Sequence, residues 1–158
     1  MNKALIHQNR KEDWETPPEI FQPLHQFFNF TIDLAATKEN SKCPSWVGPK
    51  GFYEDFLTLS IDSVRGHNCW INPPYGRFLQ PFTRHIATLA KANLFIVALL
   101  PGSIDTGWFW DFVQPYARVF GRRGRIQFLP KGASGNPGPS ILAVYNRDGM
   151  TPAGWDRL

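Results

Sequence analysis

Cysteine is scarce in this chain, and its spacing argues against the common cysteine-based sites. Cys43 and Cys69 are the two cysteines among 158 residues, and they do not form a C-x-x-C pair. We therefore expect no zinc or disulfide framework, and we interpret both as partly buried thiols of a reducing compartment. The four histidines have no spacing typical of a metal site or of a catalytic triad. The sequence predicts no metal site.

Long apolar runs and an apolar leader are also missing. The longest apolar run, at residues 94–101, is far too short to cross a bilayer. The first residues, Met1-Asn2-Lys3, lead into a polar stretch, which is not the pattern of a secretory signal. We therefore predict a cytoplasmic protein with no membrane partner.

Several motifs of familiar enzyme classes are absent as well. The sequence holds no P-loop, no G-x-S-x-G and no zinc-deaminase pattern, so kinase, hydrolase and deaminase functions have no support. The glycine-rich loop that often follows the first strand of a nucleotide-binding fold is missing too. Leu34-Ala35-Ala36 stands in that place, and its small alanines still permit a ligand to approach closely.

What is present is typical of a folded, mildly basic domain. Hydrophobic residues make up 42% and charged residues 19% of the chain, and its length predicts one domain, 1–158, with 1–13 as a loose arm. The net charge is +4. A basic, acid-free segment at 117–131 suits contacts with phosphate, although a solvated basic loop is an equal alternative. Its candidate nucleic-acid-binding residues are Arg122, Arg123, Arg125 and Lys131.

Helical and strand patterns alternate along the chain and predict an α/β fold. A helix with Thr16 as its cap is followed by a strand at 29–36, and later by a helix at 78–92 and strands at 94–100 and 140–145. We predict a Rossmann-like, mostly parallel sheet whose late strand is antiparallel. The polar segment 37–51 leaves little room for a full helix and strand, so the sheet is expected to be trimmed there.

The most informative segment is Asn72-Pro73-Pro74-Tyr75, which directly follows a buried-strand pattern. The prolines fix the backbone and remove two donors, so the turn is rigid and exposes carbonyl oxygens. The Asn72 amide oxygen and the Pro73 carbonyl could accept both hydrogens of an exocyclic amine, and Tyr75 offers a flat face beside them. The alternative is a turn that ends a strand, with Tyr75 capping the core.

This motif belongs to an ordered set of segments that runs over residues 14–128. The set comprises Trp14-Glu15-Thr16-Pro17, Ile32-Asp33-Leu34-Ala35-Ala36, Asp55-Phe56-Leu57, Trp70-Ile71-Asn72-Pro73-Pro74-Tyr75-Gly76, Leu99-Leu100-Pro101, Asp105-Thr106-Gly107-Trp108-Phe109 and Gly124-Arg125-Ile126-Gln127-Phe128. In this order the segments resemble one family, the phage-type DNA N6-adenine methyltransferases (the phage Dam family), which use S-adenosylmethionine.

The resemblance implies a class I methyltransferase fold and a role for each matching residue. It implies that Asp33 receives the α-ammonium of the cofactor and that Asp55 and Phe56 bracket the cofactor's adenine. The catalytic residues are then Asn72, Pro73, Pro74 and Tyr75, and the cofactor-binding residues are Trp14, Thr16, Pro17, Asp33, Ala35, Asp55, Phe56 and Asn72. The target adenine of DNA has to leave its stack to reach such a pocket.

Local sequence leaves other interpretations open. Trp14 and Thr16 could only staple and cap the first helix, Asp33 could cap a turn, and Asp55 could be a surface acid beside a core Phe56. The substrate could be an RNA adenine or a protein glutamine, since the motif recognises an amino group and not a polymer. A non-catalytic nucleic-acid-binding protein of the same fold is a further alternative. The oligomeric state could be monomer or homodimer.

Overall fold

The computed structural model describes residues 14–130, 138–147, 151–152 and 154–158. The helices in these ranges are α1 (Pro18–Phe28), α2 (Ile61–Val64), α3 (Leu79–Lys91) and α4 (Gly107–Phe112). The strands are β1 (Ile32–Asp33), β2 (Ser45–Trp46), β3 (Asn68–Ile71), β4 (Phe95–Pro101), β5 (Ala117–Gly121) and β6 (Ser140–Tyr145). Short 3-10 turns occur at Phe56–Thr58, Gly76–Phe78 and Trp155–Arg157.

The described strands form a six-stranded sheet in the order β2-β1-β3-β4-β6-β5. The pairs β1–β2, β1–β3 and β3–β4 are parallel, whereas β6 runs antiparallel to both of its neighbours, β4 and β5. The α/β fold, the mostly parallel sheet and the late antiparallel strand at 140–145 are therefore confirmed.

The central strands are buried on both faces because helices cover each side of the sheet. Trp70, Val97 and Leu99 lie in the hydrophobic cluster that contains the apolar face of α1. Ile71 and Ile96, which point the other way, lie in the cluster that contains the apolar face of α3. This two-sided burial explains the continuous apolar run in β4.

Two predicted boundaries near the start of the sheet were wrong. The first strand covers only Ile32–Asp33, because Asn29 ends α1 in a left-handed conformation (φ 56°) and the chain bends directly after Asp33. Thr16 does not cap α1, since Pro17 stands at the N-cap and the carbonyl of Pro17 accepts hydrogen bonds from Ile20 N and Phe21 N.

The remaining boundaries follow the sequence more closely. The polar segment 37–51 contributes only the two-residue strand β2, as expected for a trimmed sheet. The helix predicted at 78–92 and the strand predicted at 94–100 are α3 and β4, each within one residue of the predicted bounds. The N-terminal arm at 1–13 lies outside the described residues, and the single-domain organisation stays a prediction.

Candidate active site

The parallel strands β1 and β3 end side by side and bring two predicted residues to one edge of the sheet. Asp33, the last residue of β1, pairs in register with Trp70 of β3, and Asn72 follows β3 directly. In open α/β sheets, ligands bind at the carboxyl ends of the strands. The fold therefore places both residues where a ligand is expected.

Asp33 is a buried carboxylate with only 3% of its surface exposed. Its Oδ1 accepts a hydrogen bond from Ala35 N (3.2 Å), and its Oδ2 accepts one from Lys42 N (3.0 Å). Burial raises the pKa of Asp33 to about 7, although the two amides and the Lys42 charge lower it. A carboxylate that is this costly to ionise gains most from a cation placed directly against it.

The two polar atoms of the Asn72 side chain differ in their hydrogen bonding. Its Nδ2 donates to the carbonyl of Trp14 at 2.6 Å. Its Oδ1 is buried and has no hydrogen-bond partner among the described residues. Because a buried acceptor without a donor costs about 1–3 kcal/mol, such an atom is a candidate to accept a hydrogen bond from a bound ligand. The Trp14 anchor fixes the orientation in which Asn72 presents that acceptor.

Tyr75 follows the two prolines and closes the turn against the core. Its ring is buried, and burial raises the pKa of its hydroxyl, for which the described part of the chain offers no hydrogen-bond partner. Gly76 adopts a positive φ of 71°, which lets the chain reverse into the following 3-10 turn and α3. Tyr75 therefore does cap the core, as the alternative interpretation stated, while standing next to Asn72 in the motif.

Phe128 is a neighbour of this turn that sequence reasoning did not single out. Its ring meets Tyr75 edge-on, with centroids 6.3 Å apart, and lies 6.4 Å from Trp14. The segment that carries it is tied to the Trp14–Thr16 segment, because Glu15 N donates to Leu129 O (3.2 Å) and Leu129 N donates to Glu15 O (2.9 Å). The only sequence signal was its place in the Gly124–Phe128 segment.

A small cleft that is open to solvent lies beside Asp33 and Asn72. It brings together five of the residues predicted to bind a cofactor, together with four others. The predicted ones are Trp14, Thr16, Asp33, Ala35 and Asn72, and the others are Glu15, Asn40, Lys42 and Trp70. The Thr16 hydroxyl is also buried without a hydrogen-bond partner in the described ranges. Two of the residues that line the cleft, Thr16 and Asn72, thus each carry a buried polar atom without a hydrogen-bond partner in the described ranges.

Glu15 and Lys42 form an ion pair on the wall of this cleft. Lys42 Nζ donates to Glu15 Oε1 at 2.6 Å, with 14% of the Lys42 side chain and 36% of the Glu15 side chain exposed. The two residues are 27 positions apart, so no local motif indicated that they would meet.

Three predicted cofactor contacts are placed elsewhere. Pro17 is the N-cap of α1 and does not line the cleft. Asp55 caps a 3-10 turn, its Oδ1 accepting from Leu57 N at 3.0 Å. Phe56 is 3% exposed and stacks on Phe82, with centroids 5.0 Å apart, so it has no free face for an adenine ring. In this structure Asp55 is a capping acid beside a core aromatic residue, and the assignment of Asp55 and Phe56 to the cofactor's adenine stays a prediction.

The residues of the basic segment also differ in their surroundings. Arg122 donates to the main-chain oxygen of Leu158 and lies over the Trp155 ring, and burial lowers the pKa of its guanidinium. Arg122 thus contacts the C-terminal segment in this structure, and its assignment to nucleic acid stays a prediction. Arg123 and Arg125 are exposed, and Lys131 lies outside the described residues.

Two negative findings concern the described residues alone. No group of three or more histidine, cysteine or acidic side chains is arranged to hold a metal ion in the ranges that the structure describes. In the same ranges, no helix has the length and apolar character that a bilayer crossing requires.

A mostly parallel α/β sheet with an Asn-Pro-Pro-Tyr turn and a cleft at its carboxyl edge is the arrangement expected of the methyltransferase family that the sequence resembles. The sequence model of the DNA N-6-adenine-methyltransferase (Dam) family matches residues 3–148. The chain belongs to this family and is an adenine-specific DNA methyltransferase.

A viral relative supports the assignment. The chain is 32% identical over 133 residues to the DNA N-6-adenine-methyltransferase of Haemophilus phage HP1, an alignment that covers 82% of this chain and 73% of the phage enzyme. The match therefore spans most of both proteins and supports a phage Dam-type enzyme.

Proposed function

We propose that this chain transfers a methyl group from S-adenosylmethionine to the exocyclic N6 of an adenine in DNA, and that Asn72 presents the adenine to the cofactor. The observation that carries this proposal is the buried, unpaired Oδ1 acceptor of Asn72, a residue that lines the cleft around Asp33 and whose Nδ2 donates to the Trp14 carbonyl. The sheet order with its late antiparallel strand supports a Rossmann-like class I methyltransferase fold. A DNA substrate accords with the cytoplasmic location expected from the sequence.

The cleft suits a cofactor that carries an ammonium group and neutral donors. S-adenosylmethionine would supply an electrophilic methyl group on a sulfonium centre. The Asp33 carboxylate would hold its α-ammonium, since burial makes an opposite charge valuable there. The Thr16 hydroxyl supplies a further polar contact, and Ala35 keeps the wall low enough for a close approach.

The Asn-Pro-Pro-Tyr turn activates the adenine by orientation and electrostatics. The N6 lone pair is conjugated with the ring and is a poor nucleophile. Asn72 Oδ1 and the Pro73 carbonyl would accept the two N6 hydrogens, which favours a pyramidal nitrogen and aims its lone pair at the methyl group. The same oxygens stabilise the positive charge that develops on N6. The methylated nitrogen then loses a proton to water, so no dedicated base is required.

The walls of the base pocket are aromatic and its surroundings are basic. Tyr75 would stack on a base that has been flipped out of the duplex, and Phe128, edge-on to Tyr75, would close the pocket from the side. Arg123 and Arg125 are exposed a few residues before Phe128 and are suited to the flanking phosphates.

The test is a methyl-transfer assay with radiolabelled S-adenosylmethionine on unmethylated DNA, with RNA and protein extract in parallel and nucleoside analysis of the product. We expect N6-methyladenine in DNA. Label only in RNA or protein would overturn the substrate assignment. No transfer by a chain that binds S-adenosylmethionine measurably would overturn the reaction itself.

A further inference from the structure

The cleft around Asp33 is lined by two charged residues that the proposed mechanism does not use, Glu15 and Lys42. Lys42 touches Asp33 through its main chain and Glu15 through its side chain, at 3.0 Å and 2.6 Å. The main-chain amide of Lys42 therefore contacts Asp33, the acid proposed to receive the α-ammonium of the cofactor. The side-chain ammonium of Lys42 lies on the wall of the same cleft. An amino-acid headgroup carries an ammonium and a carboxylate on one carbon, and this spacing of Asp33 and Lys42 offers a partner to each.

We propose that Lys42 binds the methionyl carboxylate of S-adenosylmethionine. In the cofactor-free chain the Glu15 carboxylate pairs with the Lys42 ammonium group, and this ion pair breaks when the cofactor binds. This inference rests on the proposed function. It assigns a positioning contact and a competing acid that neither the Asn-Pro-Pro-Tyr turn nor the Asp33 site contains.

The charges of the cleft support an exchange of partners. Among the described lining residues, two acids, Asp33 and Glu15, share one cation, Lys42. That cation is committed to Glu15, and it has the weakest of the effects that act on Asp33. The headgroup would add one positive and one negative charge. Its ammonium satisfies Asp33, and its carboxylate replaces Glu15 at Lys42.

Exposure decides which acid gives way. Asp33 is 3% exposed and held by two amides, whereas the Glu15 side chain is 36% exposed and can turn toward water at little cost. Partly exposed ion pairs contribute little stability, so the Glu15–Lys42 pair is a weak competitor. The main-chain bonds of Glu15 to Leu129 do not depend on its side chain and can persist during the exchange.

The experiment compares two ligands by calorimetry, S-adenosylmethionine and its decarboxylated form, which lacks only the carboxylate. Lys42→Met keeps the length and the main-chain amide that supports Asp33. We expect it to weaken binding of S-adenosylmethionine by about 10- to 100-fold and binding of the decarboxylated form by less than about twofold. Glu15→Gln removes the competitor and should tighten binding of S-adenosylmethionine by about two- to fivefold.

The matched control is Lys38→Met, the same substitution at an exposed lysine outside the cleft, which should leave both affinities unchanged. Equal losses for both ligands in Lys42→Met, or none, would overturn the carboxylate contact. Weaker binding in Glu15→Gln would show that Glu15 holds the ammonium itself and would overturn the exchange.

The wild-type chain gives a test that needs no folded variant. It should prefer S-adenosylmethionine to the decarboxylated form by at least about tenfold, and equal affinities would overturn the inference alone. A wild-type chain that binds neither ligand would overturn the cofactor assignment in the proposed function, and this inference with it.

Discussion

The segments Trp14–Thr16 and Asp55–Phe56 were both predicted to bind the cofactor. In the structure the first segment lines the cleft around Asp33 and the second does not. Both resemble cofactor-binding segments, and both have an ordinary local interpretation as caps and core residues. Trp14 and Thr16 line a cleft, and the Thr16 hydroxyl has no hydrogen-bond partner in the described part of the chain. Asp55 and Phe56 are satisfied by a turn amide and a stacked ring. Unmet hydrogen-bonding capacity, more than motif similarity, distinguishes a binding segment from a structural one.

The largest expected effect concerns the acceptor on the cleft side. Asn72→Ala should lower turnover by about 10²- to 10³-fold with little change in the Kd for the cofactor, because it removes a contact that strengthens as charge develops on N6. Single-turnover kinetics and calorimetry measure the two quantities. Asn68→Ala is the control, since Asn68 lies at the other end of β3 and donates to main-chain carbonyls of residues 28 and 29. An equal loss of cofactor affinity in Asn72→Ala would contradict the catalytic role.

The second prediction uses the titration of Asp33. Because the pKa of this carboxyl is raised to about 7, it is increasingly protonated below that pH, and only the ionised form attracts an ammonium group. Cofactor affinity should therefore fall by about tenfold for each unit of pH below 7. Asp33→Asn should bind about 10- to 100-fold more weakly at pH 8, with a flat profile between pH 5.5 and 7. A steep profile that survives in Asp33→Asn would assign the titration to another group.

At Thr16 we expect a smaller effect on cofactor affinity, which should fall, while the stability of the cofactor-free chain should stay the same or rise. Thr16→Val removes a buried hydroxyl that has no protein partner in the described ranges, so the cofactor-free chain should melt at the same temperature or higher. The same change should weaken cofactor binding by about 5- to 10-fold, through the loss of one hydrogen bond. Thr83→Val is the matched control, because the Thr83 hydroxyl donates within α3 and should not influence affinity. Lower stability with unchanged affinity would assign Thr16 to the fold alone.

The smallest effect on cofactor binding is expected in the segment Asp55–Phe56. Asp55→Ala should cost about 1 kcal/mol of the free energy of unfolding, as the loss of a capping side chain does, and should leave the Kd for the cofactor unchanged. Chemical denaturation and calorimetry give both values. A marked loss of affinity would restore Asp55 to the cofactor site and remove the distinction between the two segments.

The sequence predicted those parts of the fold that depend on local pattern. The apolar runs of β4 and β6 and the amphipathic α3 are buried as their periodicity indicated. The strand β5 was not predicted, because its Ala117–Gly121 run is an edge strand, half-exposed, and does not show a clear alternation. Strand β1 is short because the Asp33 side chain turns the chain by accepting from Ala35 N, a contact that residue type alone does not specify.

In the candidate site too, features set by local sequence were predictable and contacts between distant residues were not. Asn72 was predictable since two prolines fix the turn locally. The burial of Phe56 is decided by Phe82 and His85 of α3, and the meeting of Glu15 with Lys42 by the folding of distant segments onto one edge. The contact of the Arg122 guanidinium was unpredictable for a similar reason, because its partner is Leu158, 36 residues away. Contacts between distant residues follow from the tertiary fold and not from a motif.

The two main-chain ties of the Trp14–Glu15 segment have a thermodynamic consequence. The Trp14 carbonyl holds Asn72, and Glu15 is paired with Leu129 beside Phe128, while Trp14 and Glu15 both line the cleft proposed for the cofactor. We expect the ligand that binds first to bear any entropic cost of ordering this shared wall, so that the second ligand finds it already ordered. Cofactor and DNA should therefore bind with positive cooperativity, and linkage requires that each strengthen the other by the same factor. Cofactor affinity measured with and without DNA gives that factor, and a value of one would show that the wall is already rigid in the free enzyme.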